Sequence, residues 1–270
     1  MAFCTINYNS HVLRMDVAVN VLLPERRHQP QVRRHEKYSV LYLLHGFGDD
    51  YSAWMRKSII ELRARELDLI VVMPMVMNGF YTNQDSGWDF SSFVADELPL
   101  VMANYFPLSD AREDTYIAGV SMGGYGAFRL ALTYPERYGA AVSLSGALSP
   151  YSISSKMNDD VFQDALDRSY GGEAKFAGSE NDLLHLARRV DASAKPKPRL
   201  FMCCGRQDEL CYETGLAFRD AIASECQHLD LQYTESDGGH SWDYWNQRIP
   251  EFLTYFGLVR PEDESAGVLP

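Results

Sequence analysis

Long apolar runs are missing from this 270-residue chain, and none approaches the ~18 uninterrupted residues that a membrane-spanning helix would need. The opening segment, MAFCTINYNSHVLRMD, also lacks a basic stretch followed by an apolar one. No secretory leader is therefore read, and a cytoplasmic protein is expected. Positive charge is in short supply, 25 Lys and Arg against 37 Asp and Glu, for a net charge of −12. A surface of that sign repels phosphate backbones and anionic bilayers, so neither nucleic acid nor membrane is expected as a partner. One segment runs the other way, ERRHQPQVRRHEK at 25–37. It holds a proline and lies between two strand-like runs, and it reads as a solvated hairpin loop. Cysteines are few and odd in number: Cys4, Cys203, Cys204, Cys211 and Cys226. Without zinc-type spacing they point to neither a metal site nor a disulfide framework, and a reducing compartment suits them. Cys203 and Cys204 fall in an apolar run, RLFMCCG, where thiols behave as small buried hydrophobes.

What the chain does have is 46% hydrophobic residues, enough for a sizeable core, set in alternating strand-like and helix-like blocks. SVLYLLHG, LDLIVVMP, TYIAG, YGAAVSLSG, RLFMCCG and LDLQYTES read as strands. Helical spacing lies between them in SAWMRKSIIELRAREL, SSFVADELPLVMANYF, GGYGAFRLALTYP and TGLAFRDAIASE, and SWDYWNQRIPEFLTYF closes the series. Pro99 is expected to kink the second of these helices or to open a new segment. CTINYNS and VLRMDVAVNVLLP form an antiparallel start. Strand and helix in alternation imply an α/β fold with a mostly parallel sheet covered on both faces. Residues 147–197 are too long for a simple connection and are expected to form a cap-like insertion with helical pieces, within one domain spanning 1–260. The acidic end, 261–270, reads as a frayed tail. Exposed edge strands and the aromatic last helix are compatible with self-association into a homo-oligomer.

One stretch concentrates the chemistry. In DTYIAGVSMGGYGAFRL, a strand runs into Gly119-Val120-Ser121-Met122-Gly123 and a helix follows at once. This is the G-x-S-x-G elbow that exposes a serine nucleophile, its glycines permitting backbones to approach where a β-carbon would not fit. The helix directs its N-terminal N–H groups and positive dipole end to the same point, where an oxyanion would be stabilised. Read alone, the pattern is weak. Its place between strand and helix gives it meaning.

Serine needs a base, and the base needs an orienting acid. In α/β-hydrolases these follow in the order serine, acid, histidine. Three histidines come after Ser121. His185 sits inside a helical pattern and His228 precedes the last strand, on the wrong edge. His240, in the glycine-rich SDGGHSWDYW after that strand, is the preferred base. Asp208, in GRQDEL after the preceding strand, is the preferred acid over Glu209 and Asp237, with a helix N-cap as its alternative role. LLHGFGDDYSAW supplies a second oxyanion donor, the Phe47 N–H to pair with that of Met122, with Gly46 as the fallback. His45 reads as a structural part of that turn.

Taken together, LYLLHGFGDDYSAW, VVMPMVMNGFYTNQDSGWDF, IAGVSMGGYGAFRLAL with LSGALS, CGRQDEL and GGHSWDYW resemble the esterase D-like branch of α/β-hydrolases, and within it the bacterial tributyrin esterases. The resemblance covers about residues 3 to 258. It implies a short-chain carboxylesterase acting on a small-molecule ester without cofactor or metal, with Ser121, Asp208 and His240 as triad and Phe47 and Met122 as oxyanion hole. Thioester hydrolysis, notably of S-formylglutathione, follows as the alternative, then feruloyl esters and acyl transfer, and last a hydrolase-fold binding module without catalysis. The insertion and the NGFYTNQDSGWDF loop are expected to shape the acyl pocket, with Tyr81 and Trp88 as wall candidates. Because the histidine must be neutral to act as base, activity is expected to rise with pH through roughly 6 to 7.

Overall fold

Runs rich in Val, Ile and Leu bounded by turns become strands buried on both faces. The computed structural model of the chain describes residues 1–25, 37–65 and 67–258. Residues 26–36 of the expected basic loop and the expected tail at 261–270 lie outside the described residues. Among those described, eight strands form one sheet. They are β1 (Ala2–Ser10), β2 (Met15–Leu23), β3 (Ser39–Leu44), β4 (Leu69–Met73), β5 (Thr115–Val120), β6 (Ala140–Leu144), β7 (Arg199–Gly205) and β8 (Leu231–Ser236). Their spatial order is β1-β2-β4-β3-β5-β6-β7-β8. The first two strands pair antiparallel with each other, and β2 pairs antiparallel with β4. From β4 to β8 all pairs are parallel.

Alternation along each strand splits the core into two layers. Val40, Tyr42 and Leu44 of β3 enter one cluster, while Leu41 and Leu43 enter the other. The first layer is covered by α4 (Leu98–Tyr105), α5 (Met122–Thr133), α9 (Leu183–Ala192) and α10 (Tyr212–Glu225). The second is covered by α1 (Ala53–Lys57), α2 (Ile60–Ala64) and α11 (Trp242–Tyr255). Each fully buried Val, Leu or Ile contributes about 1.5–3 kcal/mol.

Two helices depart from the simplest reading of their spacing. The block 52–67 is not continuous, since Ser58 is extended between α1 and α2. Asn246 of α11 bridges the break: its Oδ1 accepts from the Ile59 N–H at 2.9 Å and its Nδ2 donates to the Lys57 carbonyl at 3.0 Å. Ser58 caps the same break locally, its Oγ donating to the Trp54 carbonyl at 2.6 Å and accepting from the Ile60 N–H at 3.1 Å, and the tertiary side chain adds to it. In the second case, α3 (Phe90–Ser92) passes through a π-turn at Phe93–Glu97 before α4 begins. Pro99 lies in the first turn of α4 but within one helical run from Phe90 to Tyr105, and the Ala95 carbonyl that its missing N–H leaves free accepts from Arg137 Nη1 at 2.5 Å. The Glu97 carboxylate accepts from the Ser10 hydroxyl and the His11 N–H, tying this widened turn to the β1–β2 connection.

Between β6 and β7 the insertion carries α6 (Pro150–Met157), α7 (Asp160–Tyr170), α8 (Glu173–Phe176) and α9. Asp159 caps α7 and Asp182 caps α9, each side chain accepting from two backbone N–H groups of the first turn. The connection leaving β3 goes to β4 on one side, and the next goes to β5 on the other. The crevice at the carboxyl ends of β3 and β5 is therefore the switch point of the sheet, where ligands of open α/β sheets bind.

Candidate active site

The segments after β3, β5, β7 and β8 converge on that crevice. Ser121 follows β5 with φ 54° and ψ −118°, a backbone conformation that L-residues rarely adopt. Three bonds hold it there. Its N–H donates to the Leu144 carbonyl at 3.0 Å, and its own carbonyl accepts from Tyr125 and Ala147 at 3.1 and 3.0 Å. Glycines let α5 settle over the sheet edge. A β-carbon at Gly119 would stand 2.4 Å from the Gly123 carbonyl, and one at Gly123 would stand 2.4 Å from the Leu44 carbonyl oxygen. Since backbone is the obstacle on both sides, no side-chain rotation relieves it. Gly123→Ala is expected to cost about 2–3 kcal/mol of stability, read as a lowered Tm, and to reduce turnover because Ser121 shifts with the helix. An unchanged Tm would contradict the close approach.

Ser121 Oγ lies 3.0 Å from His240 Nε2, and His240 Nδ1 lies 2.8 Å from Asp208 Oδ2. The acid uses both oxygens. Oδ1 accepts from the Cys211 and Leu210 N–H groups at 2.9 and 3.2 Å, closing the turn that leads into α10, whose own N-cap position is Cys211, while Oδ2 holds the histidine. Burial would raise the Asp208 carboxyl, but the hydrogen bond and charge of His240, the Cys211 N–H and the Ser145 hydroxyl together hold it below the usual carboxylate range. The two loops are laced together. Gln207 N–H donates to the Gly238 carbonyl at 3.0 Å, and Gln207 Oε1 accepts from the Gly238 N–H at 2.6 Å. The Trp245 ring stands edge-on to His240 with centroids 5.1 Å apart, fixing the imidazole plane.

Rival residues lie elsewhere. His185 is on α9. His228 precedes β8, its N–H bound to Asp191. Glu209 is exposed, and Asp237 is a surface partner of Arg206 at 3.1 Å. Met122 opens α5, where first-turn N–H groups have no intrahelical acceptor. Gly46 lies against Ser121: a β-carbon built on it would be 3.6 Å from Ser121 Cβ. Phe47 is half-buried, its ring 4.9 Å from that of Phe162 on α7 and 6.1 Å from Phe80. His45 is fully buried, as a structural part of the turn should be.

Of the two wall candidates, the structure corrects Tyr81. Tyr81 has no exposed surface, because its ring packs on α5 and its hydroxyl donates to the His45 carbonyl at 2.9 Å. Trp88 is half-buried and stacks on Phe90 with centroids 5.8 Å apart. Phe80 and Phe162, also buried, pack against the Phe47 ring. Sequence reasoning also missed Ser145, Cys204 and Cys211 around the acid. Cys204 Sγ lies 3.6 Å from Asp208 Oδ2, and only its place at the end of β7, four residues before Asp208, hinted at this.

Among the described residues, Asp208, Cys211 and His240 have donor atoms within 4.8 Å of one another, a spacing a metal ion could use. The set fits an ion poorly. The His240–Asp208 hydrogen bond already occupies two of the donors, and burial pushes the Cys211 thiol up, keeping it protonated.

A parallel sheet with a Ser–His–Asp chain at its carboxyl edge, behind a strand-to-helix elbow, defines an α/β-hydrolase of the serine hydrolase class. The chain belongs to the Esterase family, whose family model matches residues 10–256, and it is a carboxylic ester hydrolase. An acetyl esterase of Caldicellulosiruptor saccharolyticus is 31% identical over 271 residues, covering 96% of this chain and 99% of that one. Among solved structures, FphF of Staphylococcus aureus, a fluorophosphonate-binding serine hydrolase, aligns with a TM-score of 0.84 at 31% identity over 94% of this chain and 98% of its own. An S-formylglutathione hydrolase, FrmB, from the same organism aligns with a TM-score of 0.82 at the same identity and coverage. No helix among the described residues is long and apolar enough to cross a membrane.

Proposed function

We propose that the chain hydrolyses short-chain acyl esters, acetyl to butyryl, through an acyl-enzyme on Ser121. The observation that carries this reading is the continuous hydrogen-bonded chain from Ser121 Oγ through His240 to Asp208, next to the N-terminus of α5. His240 Nε2 takes the hydroxyl proton as Oγ attacks the ester carbonyl. The N–H groups of Phe47 and Met122 hold the oxyanion. His240 then protonates the leaving alkoxide, and water repeats the cycle to release the acid. Asp208 keeps the imidazole in the tautomer with its proton on Nδ1 and stabilises the imidazolium. Free thiols at all five cysteines accord with a reducing, cytoplasmic setting.

The likeness to the acetyl esterase supports a short acyl limit. Hydrolysis of p-nitrophenyl esters from acetate to octanoate tests it. The expected optimum falls at acetate to butyrate, and a rate still climbing at octanoate would reject the short-chain assignment. A second reading, thioester hydrolysis, is favoured by the likeness to the S-formylglutathione hydrolase. Matched thiol and oxygen esters of one acyl group separate the two.

A further inference from the structure

The support of the oxyanion loop reaches deep into the molecule, through residues that no substrate could touch. The Gly46 carbonyl accepts from His45 Nδ1 at 2.8 Å and from the Asp49 N–H at 3.2 Å. His45 Nε2 accepts from the Val76 N–H at 3.2 Å, so the ring proton sits on Nδ1 and the ring is neutral. In a trans peptide the N–H points opposite to the C=O. Pinning the Gly46 carbonyl therefore sets the direction of the Phe47 N–H. The preceding carbonyl, that of His45, is pinned by the Tyr81 hydroxyl.

Tyr81 is itself over-determined. Its ring lies against α5 at Gly126, where a β-carbon would stand 2.3 Å from Tyr81 Cδ2. Its carbonyl accepts from Arg129 Nη1 at 3.2 Å. Arg129 is 6% exposed and gives its other hydrogen bonds to neutral oxygens, Ser91 Oγ at 3.0 Å and Asn181 Oδ1 at 2.9 Å. Phe80 and Tyr81 carry φ of 49° and 56°, unfavourable for bulky L-residues and retained only where the surroundings hold them. Met122 and Arg129 lie two turns apart on the same helix. One oxyanion donor thus belongs to α5 directly, and the other is referenced to α5 through Arg129, Tyr81 and His45.

We propose that Tyr81 and Arg129 are positioning residues that align the Phe47 N–H with that of Met122 for oxyanion binding, an inference resting on the reading of Ser121 as nucleophile. Neither touches substrate. Their contribution belongs to the transition state, where the oxyanion forms, and not to ground-state binding.

Tyr81→Phe removes one buried hydroxyl, and Arg129→Lys keeps the charge but loses the planar fork. Each is expected to lower kcat on p-nitrophenyl acetate about 10- to 100-fold with KM within about twofold. The Ki of phenylboronic acid, whose tetrahedral adduct places an oxygen in the oxyanion position, should rise by the same factor. The acid limb of the pH–rate profile should stay where it is, because His240 is untouched. Combined, the two changes should cost little more than the worse single one, since both act through one relay. Folded variants with unchanged kcat and boronate Ki would overturn the proposal, as would losses accompanied by a displaced acid limb. Tyr81→Phe alone decides the matter should Arg129→Lys fail to fold. Ser121→Ala, assayed in parallel, separates the two levels: activity retained there refutes the nucleophile and the relay with it, whereas activity lost there but kept in Tyr81→Phe refutes the relay alone.

Discussion

Replacing Ser121 with alanine is expected to lower kcat on p-nitrophenyl acetate by about five to six orders of magnitude, with the fold intact. The residual rate is that of a water attacking within the remaining oxyanion site. Stability should barely move. Alanine keeps the backbone bonds to Leu144, Tyr125 and Ala147, and it inherits the same strained φ of 54°. That strain gives a companion result: Ser121→Gly, free of the β-carbon, should be at least as stable as Ser121→Ala although equally inactive. Fluorophosphonate labelling of the wild type and of neither variant completes the expectation. A Ser121→Ala enzyme within tenfold of wild type would end the assignment of Ser121 as nucleophile.

Much of this site is legible in the sequence because each part follows a strand that announces itself. An apolar run ending in Gly119-Val120-Ser121 defines both the strand and the turn, and the same holds for RLFMCCG before Asp208 and LDLQYTES before the His240 loop. Local grammar also foretells that Asp208 bonds nearby backbone N–H groups, although it closes the turn before α10 and not the helix itself. What it cannot foretell is that one carboxylate performs both duties, since that depends on the direction from which His240 arrives.

The misses share a cause. Asn246 reaches the break from 187 positions beyond Ile59, and although Ser58 caps it locally, no propensity within 52–67 brings Asn246 there. Tyr81 reads as a loop aromatic because its two left-handed neighbours, Met77 and Phe80, are bulky residues in a conformation usually signalled by glycine. The strain exists only because α5, β3 and the insertion close around it. Arg129 stands in a helix whose positions 122–132 are all buried, and nothing within that helix names its partner. Tertiary contacts give it the Tyr81 carbonyl to hold.

The acid offers the second large effect. Asp208→Asn is expected to lower kcat by about 10⁴-fold near pH 7 while the protein remains folded. The direction of the amide decides this. Two backbone donors, the Leu210 and Cys211 N–H groups, face Oδ1 and require an oxygen there. The amide nitrogen must then face His240 Nδ1 as a donor, which makes Nδ1 the acceptor and moves the ring proton to Nε2. That proton points at Ser121 Oγ, and the base is lost although every heavy atom keeps its place. The pH dependence of stability should change as well. Because the folded state holds the Asp208 carboxyl below the usual carboxylate range, its ionised form adds stability above that range, and the contribution fades as pH falls through the depressed value. The wild-type advantage in Tm over Asp208→Asn should accordingly shrink as the pH is lowered below about 4. Exposed Glu209 serves as the control: Glu209→Gln should leave kcat as it is. An Asp208→Asn variant retaining a tenth or more of wild-type turnover would show that the imidazole does not depend on Asp208 for its tautomer, and the acid would have to be sought elsewhere in the crevice.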